Sequence, residues 1–249
     1  MKPYFKSLHK IEFVVTDACT GRCKHCSQGK HSSHGERIDP VIAADSVCKI
    51  ASEYGIDTVM AFGGEPLLYP DAVYSIIAAA RNMGVPRRQV ITNGYFTSSN
   101  DKMREVAEHL SACGVNDLLL SVDAFHQETI PLDTVRRFAE ELVRQGVPVR
   151  LQPAWLVSAN DNNPYNLKTQ KILDSFADMD IAVGEGNVIF PEGNAAENLA
   201  EYFKDTIPEN PYTEDPCNIK CISFASNGDV LQSNVYINDI MEIINGYAP

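Results

Sequence analysis

Three cysteines lie within eight residues near the N-terminus, in the run Cys19-Thr-Gly-Arg-Cys23-Lys-His-Cys26. The run follows a short apolar segment, residues 11–15, that we expect to form the first strand of a parallel sheet. Ligands and catalytic groups collect at the C-terminal ends of such strands. Three thiolates on one tight loop can converge on a metal, and in a reducing compartment such spacing favours metal binding over a disulfide framework. The spacing therefore predicts Cys19, Cys23 and Cys26 as metal ligands.

The number of cysteines bears on the kind of metal centre. Tetrahedral zinc needs a fourth ligand, which is commonly part of a second pair further along the chain. His25 adjoins Cys26 and is badly placed for that role, whereas His31 and His34 are better placed, so zinc stays open. A [4Fe–4S] cluster held by three cysteines instead has one iron without a protein ligand, where a second molecule can bind.

Composition restricts the class of protein. The chain has 249 residues, 44% of them hydrophobic, and a formal net charge of -12. That charge argues against a broad nucleic-acid surface, which would be basic. No apolar run approaches the ~20 residues of a membrane span, and the N-terminus has no signal-peptide core. We therefore expect a cytoplasmic protein that binds neither nucleic acid nor membrane.

A strand-then-helix rhythm occurs six times along the chain. Such a series predicts parallel strands joined by right-handed crossovers. A complete eight-unit barrel takes about 250 residues, so six units favour a partial, open (β/α)6 TIM-like barrel over residues 1–205. Residues 206–249 do not continue this strand–helix pattern. We expect them to form a small C-terminal capping element, with a hairpin at Asn227–Gly228 and a final helix. The expected strands are residues 11–15, 57–62, 89–92, 117–122, 147–157 and 188–190, and the expected helices are 40–54, 71–83, 99–113, 132–145, 168–177, 195–203 and 237–244.

The cysteine loop after the first strand, together with this topology, resembles the radical S-adenosylmethionine (SAM) superfamily. The resemblance implies that the iron without a protein ligand binds the amino and carboxylate groups of SAM, and that SAM is cleaved to a 5′-deoxyadenosyl radical. The residue before the last cysteine is often aromatic in that family and contacts adenine. Here that residue is His25.

A second motif supports the resemblance. Phe62-Gly63-Gly64-Glu65-Pro66 closes the second strand and looks like the family's GGEP motif, whose backbone and glutamate receive the SAM amino group. Adjacent glycines let the backbone approach a ligand closely, and a carboxylate accepts from an ammonium. The resemblance therefore implies a cofactor-binding role for Gly63, Gly64, Glu65 and Pro66.

The later strands carry polar residues at the same expected edge. Asn93 follows the third strand, where it could be a ligand or only part of a turn. Ser121 and Asp123 alternate onto one face at the end of the fourth strand, a position that contacts the SAM ribose in the family. His126 could be a substrate-side acid or base, or only a loop histidine. Arg150 could bind the SAM carboxylate or a substrate anion, or pair with a buried acid.

The tail resembles the opening of a SPASM or twitch extension. Cys217 and Cys221 precede a Ser-Asn-Gly-Asp turn, but no later cysteine follows, so a four-cysteine auxiliary cluster is not expected. Pro191-Glu-Gly-Asn194-Ala resembles the Gly-Arg-Ala segment of such enzymes only weakly, since Asn194 replaces arginine. We expect a degenerate extension that shapes the substrate entrance.

These predictions define the function to be tested. The main hypothesis is a radical SAM enzyme with a [4Fe–4S] cluster and SAM as cofactors, and with flavodoxin or ferredoxin as electron donor. It would modify a peptide or protein, as in peptide-maturing relatives. A small-molecule substrate is the first alternative. The second is a non-catalytic zinc or iron–sulfur module.

Overall fold

A parallel seven-stranded sheet forms the centre of the computed structural model, which describes residues 2–204 and 207–249. The strands are β1 Lys10–Val14, β2 Thr58–Phe62, β3 Arg87–Thr92, β4 Asp117–Ser121, β5 Val149–Gln152, β7 Ala182–Val183 and β9 Cys221–Phe224. The sheet order is β7-β5-β4-β3-β2-β1-β9, and every pair of neighbours is parallel. The α/β fold class is therefore confirmed.

Helices connect the strands and pack against the sheet. They are α1 Pro40–Glu53, α2 Pro70–Asn82, α3 Asn100–Cys113, α4 Leu132–Arg144, α5 Pro164–Asp174, α6 Gly193–Asn198 and α7 Ile240–Gly246. Their boundaries follow local chemistry. The Asp39 side chain accepts from the backbone N–H groups of Val41 and Ile42, which caps α1. Gly114 ends α3 at φ 97°, a left-handed conformation that glycine adopts without strain.

The fifth and sixth predicted strands were wrong in detail. The expected strand over 147–157 is divided at Pro153, which has no N–H for the ladder, into β5 and a short β6, Ala154–Trp155. The expected sixth strand at 188–190 is also displaced. The sixth strand of the sheet is β7, whereas β8, Asn187–Val188, pairs with β6 in a separate small sheet.

The C-terminal segment joins the main sheet as well as extending beyond it. Strand β9 pairs with β1 and extends the sheet on the side opposite β7. The expected hairpin differs, because Asn227–Gly228 form the turn after β9 while the paired strands are β10, Asp229–Val230, and β11, Ser233–Asn234. The predicted domain boundary falls on Asp205 and Thr206, which lie outside the described residues.

Apolar side chains of the strands and helices fill one large core, and a second, smaller cluster includes Phe125 and Leu156. Ile11, Phe13, Val59 and Val90 are fully buried, and Phe13 stacks on Phe224 of β9 with ring centroids 4.5 Å apart. Burial of this kind is the main stabilising contribution. It fixes the sheet whose C-terminal edge carries the polar residues described next. Across the described residues, we find no helix with both the length and the apolar character of a membrane span.

Candidate active site

The loop over residues 15–38, here called the cysteine loop, connects β1 to α1. Its backbone is cross-linked by Cys19 N donating to Ser32 O (2.9 Å) and Gly29 N donating to Cys26 O (3.2 Å). Gly21 packs tightly between the first two cysteines, since a Cβ there would lie 3.3 Å from the Cys23 Sγ and 3.6 Å from the Cys19 Sγ. The loop therefore brings the cysteines toward one another.

The thiols of this loop are held away from water. Cys19 and Cys23 are buried and Cys26 is half-buried. Burial raises the pKa of Cys19 to about 11, and burial together with the nearby Asp123 carboxylate raises the pKa of Cys23. A raised pKa means that ionising these buried thiols is costly. A bound cation offsets that cost, because a coordinating thiol is deprotonated. The donor set is thus suited to a metal centre.

The spacing of ligand atoms bears on the size of that centre. Among the described residues, one group of histidine, cysteine or acidic side chains has its ligand atoms all within 4.8 Å of one another: Cys23, His25 and His126. The sulfurs of Cys19, Cys23 and Cys26 do not form such a group, so at least two of them lie more than 4.8 Å apart. Thiolates on one tetrahedral zinc ion lie about 3.8 Å apart, as Zn–S bonds of 2.3 Å require. The three cysteines therefore fit a cluster in which each holds a different iron better than a single zinc ion.

Gly63 and Gly64 bring the end of β2 against the cysteine loop. A Cβ at Gly64 would lie 2.2 Å from the Ala18 carbonyl oxygen, and one at Gly63 would lie 2.6 Å from the Thr16 carbonyl oxygen. Their backbones meet the loop directly, with Gly64 N donating to Thr16 O (2.8 Å). Both glycines line the central cavity. The predicted close approach of backbone to ligand is thus available here.

Glu65 lies behind this edge, fully buried. Its carboxylate accepts from Leu67 N (3.0 Å), Thr92 Oγ1 (2.7 Å) and Asn93 N (2.8 Å). Burial raises its pKa to about 7, although these donors act in the opposite direction. Glu65 does not line the cavity, and Pro66 begins a short 3₁₀ helix, Pro66–Leu68. The carboxylate therefore supports the end of β3, and its contact with the SAM amino group stays a prediction.

Asn93 connects that support to the first cysteine. Its Nδ2 lies 3.6 Å from the Cys19 Sγ and 3.2 Å from the Thr20 Oγ1, and its own Oδ1 accepts from Tyr95 N (2.8 Å). The side chain is thus more than a turn residue, because it contacts a predicted metal ligand.

Asp123 and His126 form a pair beyond β4. The Asp123 Oδ2 lies 2.7 Å from the His126 Nδ1, and its Oδ1 accepts from the backbone N–H groups of Phe125 and His126. Burial would raise the Asp123 pKa, but the His126 ring and these donors lower it to about 2. Both oxygens of Asp123 are engaged and the residue orients His126, while its contact with the SAM ribose stays a prediction. Ser121 is buried and lines the same cavity.

His25 lies at the same point as this pair. Its ring centroid is 4.8 Å from that of His126 and 5.0 Å from that of Phe125. Burial lowers the His25 pKa to about 4, with a smaller contribution from His126. Its Nδ1 is buried and has no hydrogen-bond partner in the described part of the chain. An unpartnered ring nitrogen beside the cysteines fits a site completed by a bound group.

Arg150 has an acidic partner. Its guanidinium donates to Asp117 through Nε (2.8 Å) and Nη2 (3.2 Å), which is a two-point ion pair across β4 and β5. Of the alternatives, the structure shows the pairing with an acid. Arg150 still lines the cavity, so its role toward SAM stays a prediction.

A cavity of about 650 Å³ lies inside the open barrel and joins these groups. That volume is typical of small-molecule sites. Of the predicted residues, the cavity wall includes Cys19, Cys23, Cys26, His25, Gly63, Gly64, Asn93, Ser121, Asp123, His126 and Arg150.

Two further residues brace the cysteine loop from the opposite side. Asn194 N donates to Cys26 O (2.9 Å) and Asn194 Nδ2 donates to Cys23 O (3.0 Å). Gly193 fits closely, since a Cβ there would lie 2.4 Å from Ser27 O. The sequence pointed to this segment only through its weak likeness to Gly-Arg-Ala, because its partners lie about 170 residues away in the chain.

The fold and site together define an α/β barrel with a three-cysteine loop at the C-terminal edge of its sheet. The family model of the radical SAM superfamily matches residues 13–150, more than half of the chain. The chain therefore belongs to the radical SAM superfamily. Membership confirms the prediction of a [4Fe–4S] cluster and SAM as cofactors.

Several similar curated proteins are named GTP 3',8-cyclase or probable GTP 3',8-cyclase. The probable GTP 3',8-cyclase of Methanothermobacter thermautotrophicus is 29% identical over 149 residues, covering 57% of this chain and 45% of the relative. The probable GTP 3',8-cyclase of Saccharolobus solfataricus is 24% identical over 215 residues, covering 80% and 66%. The chain spans about half the length of the first curated relatives it matches.

Solved structures agree on the fold. SuiB of Streptococcus suis, solved with S-adenosylmethionine, has a TM-score of 0.60 at 14% identity, covering 96% of this chain and 66% of SuiB. BtrN, solved with AdoMet and 2-DOIA, has a TM-score of 0.53 at 17% identity, covering 96% and 82%. At such identities the likeness concerns the fold alone.

Proposed function

We propose that this protein is a radical SAM enzyme that acts on a small molecule inside the barrel. When bound, the cluster and SAM supply a 5′-deoxyadenosyl radical through one-electron reductive cleavage. The observation that carries the proposal is the position of three partly or fully buried cysteines at the wall of a 650 Å³ cavity. The experiment is to load the protein with iron and sulfide and measure SAM cleavage.

Different residues of the chain bind the cluster, support the cysteine loop and form the cavity wall. Cys19, Cys23 and Cys26 hold the cluster, and Asn93 and Asn194 keep that loop in place through side-chain contacts. The Gly63–Gly64 backbone forms the adjoining wall, where a polar ligand can approach without side-chain obstruction. These contacts hold the reacting groups close together, and such proximity supplies much of the rate in positioned reactions.

His126 is the group best placed to move a proton. The buried Asp123 carboxylate accepts from the His126 Nδ1, which fixes the ring and leaves the Nε2 as the other exchangeable position. The ring lines the cavity and is 16% exposed. An aspartate-oriented imidazole is the arrangement that general bases use.

Charge in the cavity favours a particular substrate class. The two cationic side chains of the wall are already paired, Lys10 with Glu12 at 2.7 Å and Arg150 with Asp117 at 2.8 Å. Asp123 and Glu192 add negative charge. A phosphate inside the barrel would meet no free lysine or arginine among the described residues of the wall. We therefore expect a substrate that carries no phosphate group and is neutral or cationic as a whole.

Size and similarity favour a small molecule over a peptide. The curated relatives are named for GTP, which is a small molecule, and the structural neighbour BtrN was solved with 2-DOIA. Asn210 and Tyr212 of the C-terminal segment reach the cavity wall, which supports a role for that twitch-like extension in shaping the entrance. The electron donor would be a flavodoxin or ferredoxin.

The first test measures metal and SAM chemistry after anaerobic reconstitution. We expect about four irons and four sulfides per chain, and 5′-deoxyadenosine on addition of SAM and dithionite. Cys19→Ala, Cys23→Ala and Cys26→Ala should each abolish both results, whereas Cys48→Ala, on α1, should keep them. One zinc per chain and no SAM cleavage would overturn the proposal.

The second test addresses the substrate. The dialysable fraction of a cell extract should stimulate 5′-deoxyadenosine formation, and the active component should not be retained by an anion exchanger. GTP and a peptide fraction serve as comparison arms. Stimulation by GTP would contradict the charge argument, and stimulation confined to peptides would contradict the size argument.

A zinc-binding module remains the second candidate because Cys23, His25 and His126 converge. Asp123 would then be the carboxylate that orients a zinc-bound histidine. This reading predicts stoichiometric zinc that is lost in His126→Ala and retained in Cys19→Ala.

A further inference from the structure

The His31 ring lies between a backbone carbonyl and a predicted iron ligand. Its Nδ1 is 2.8 Å from the Asp17 carbonyl oxygen, and its Nε2 is 3.2 Å from the Cys26 Sγ. Both partners belong to the cysteine loop. The ring is half-buried and covers Cys26, which is the most accessible of the three cysteines.

The partners decide where the ring hydrogens lie. A carbonyl oxygen can only accept, so the Nδ1 carries a hydrogen and donates it to Asp17. A sulfur bound to iron has lost its own hydrogen and is likewise an acceptor. A ring that keeps both contacts in the loaded protein therefore donates from both nitrogens.

We propose that His31 donates an N–H···S hydrogen bond to Cys26 when that sulfur holds iron, and so sets the reduction potential of the cluster. The inference rests on the proposed function, because it needs a cluster on Cys19, Cys23 and Cys26. His31 acts through Cys26 and is a positioning residue. Nothing in the family motifs points to it, since it lies five residues beyond the last cysteine.

The same geometry argues against His31 as a ligand of the remaining iron. In a [4Fe–4S] cluster each cysteine holds a different iron. The Nε2 of His31 is in contact with the Cys26 sulfur. We therefore assign this nitrogen to the sulfur and not to the iron that the protein would leave free for SAM.

A hydrogen bond to a ligand sulfur changes the potential in a known direction. It withdraws electron density from the thiolate and stabilises the reduced, more negative cluster, so the potential rises. Removing it should lower the reduction equilibrium constant about tenfold, which is about 59 mV for a one-electron couple.

The test compares two substitutions at His31. In each, the nitrogen of the new side-chain amide takes the place of one of the two ring nitrogens. In His31→Gln the amide nitrogen reaches the place of Nε2 and can still donate to sulfur. In His31→Asn it reaches only the place of Nδ1, so the Asp17 contact survives without the sulfur contact. His34→Asn, at an exposed position of the same loop, is the matched control.

The readout is the midpoint potential from EPR-monitored titration of the reconstituted proteins. We expect His31→Asn to lower the midpoint potential by about 59 mV. The potential of His31→Gln should lie between those of His31→Asn and wild type, and that of His34→Asn should equal wild type. Equal potentials in all four proteins at equal iron content would overturn the proposal.

A second measurement keeps the test decisive if a variant loads poorly. Pulsed EPR with ¹⁵N-histidine should show in wild type a weak nitrogen coupling, as expected across a hydrogen bond, that is absent from whichever His31 variant retains its cluster. A strong coupling that disappears in that variant would identify a coordinated His31 nitrogen and overturn the donor role. Failure of the proposed function looks different, because wild type itself would then contain no iron–sulfur cluster to titrate.

Discussion

The Asp123 Oδ2 lies 2.7 Å from the His126 Nδ1 and 3.1 Å from the backbone nitrogen of Ala154. One buried carboxylate thus fastens the loop after β4 to the start of β6 and fixes a histidine at the cavity wall. The side chain has no exposed surface. It follows that structure and chemistry at this point depend on the same atoms.

Asp123→Asn should therefore be costly. The amide has one acceptor oxygen in place of two, and its NH2 group must face donors, which leaves buried N–H groups without partners. We expect the free energy of unfolding to fall by roughly 2–4 kcal/mol, together with most SAM cleavage. Urea unfolding of the cluster-free chain measures the first effect. Asp71→Asn, whose side chain is 55% exposed, should change stability by less than about 0.5 kcal/mol, and an equal change in both variants would contradict the argument.

The sequence was sufficient for the parts of this site that depend on local spacing. The three cysteines, the Gly63–Gly64 turn and the capped helix at Asp39 are each coded within a few residues. The engagement of Glu65 by Thr92 and Asn93, and of Arg150 by Asp117, depends on pairing between strands. Such contacts follow from the register of the sheet, which the pattern of one chain does not specify.

The short edge strands were beyond sequence analysis for a related reason. Strand β7 is two residues long, and both residues are exposed, so it carries no run of buried apolar residues. Strand β9 differs, because Ile222 and Phe224 alternate and are buried, but its partner β1 lies more than 200 residues away in the chain. A periodic pattern of hydrophobic residues indicates buried elements, and it does not reveal exposed edge strands or which strands pair.

Gly64→Ala should disrupt the contact between β2 and the cysteine loop. The added methyl group would lie 2.2 Å from the Ala18 carbonyl oxygen, so the backbone must move. We expect destabilisation of roughly 2–4 kcal/mol and a several-fold loss of bound iron. Gly55→Ala is the control, because a Cβ there has nothing within 4 Å. The variants are compared by thermal unfolding and iron assay, and wild-type iron content in Gly64→Ala would refute the close-packing argument.

The raised pKa of Glu65 predicts that the free energy of unfolding depends on pH. Burial raises its pKa in the folded chain to about 7 from an ordinary value of 4.5. The folded state then holds the proton more tightly than the unfolded state. Stability should fall as the pH rises from about 4.5 to about 7 and level off above that, by roughly 3 kcal/mol in all at 1.36 kcal/mol per pKa unit.

The variant Glu65→Gln isolates this contribution, since glutamine does not titrate. Its loss of stability relative to wild type should be largest near pH 5 and should shrink as the pH approaches 7.5. Urea titrations of both cluster-free proteins across that range measure the difference. A difference that stays constant with pH would show that the Glu65 proton does not contribute.

Ser226 connects the C-terminal segment to the cysteine loop by a hydrogen bond. Its buried Oγ donates to the Asp17 Oδ2 at 2.5 Å, and the same Asp17 provides the carbonyl that holds His31. Ser226→Ala should cost about 1.5–3 kcal/mol, as expected for a hydrogen bond to a charged group, and should speed iron release to a chelator several-fold. Ser223→Ala, at an exposed position of β9, keeps the strand and removes only a surface hydroxyl. If both variants release iron at the wild-type rate, the segment does not support the loop, and its role is confined to extending the sheet and lining the cavity.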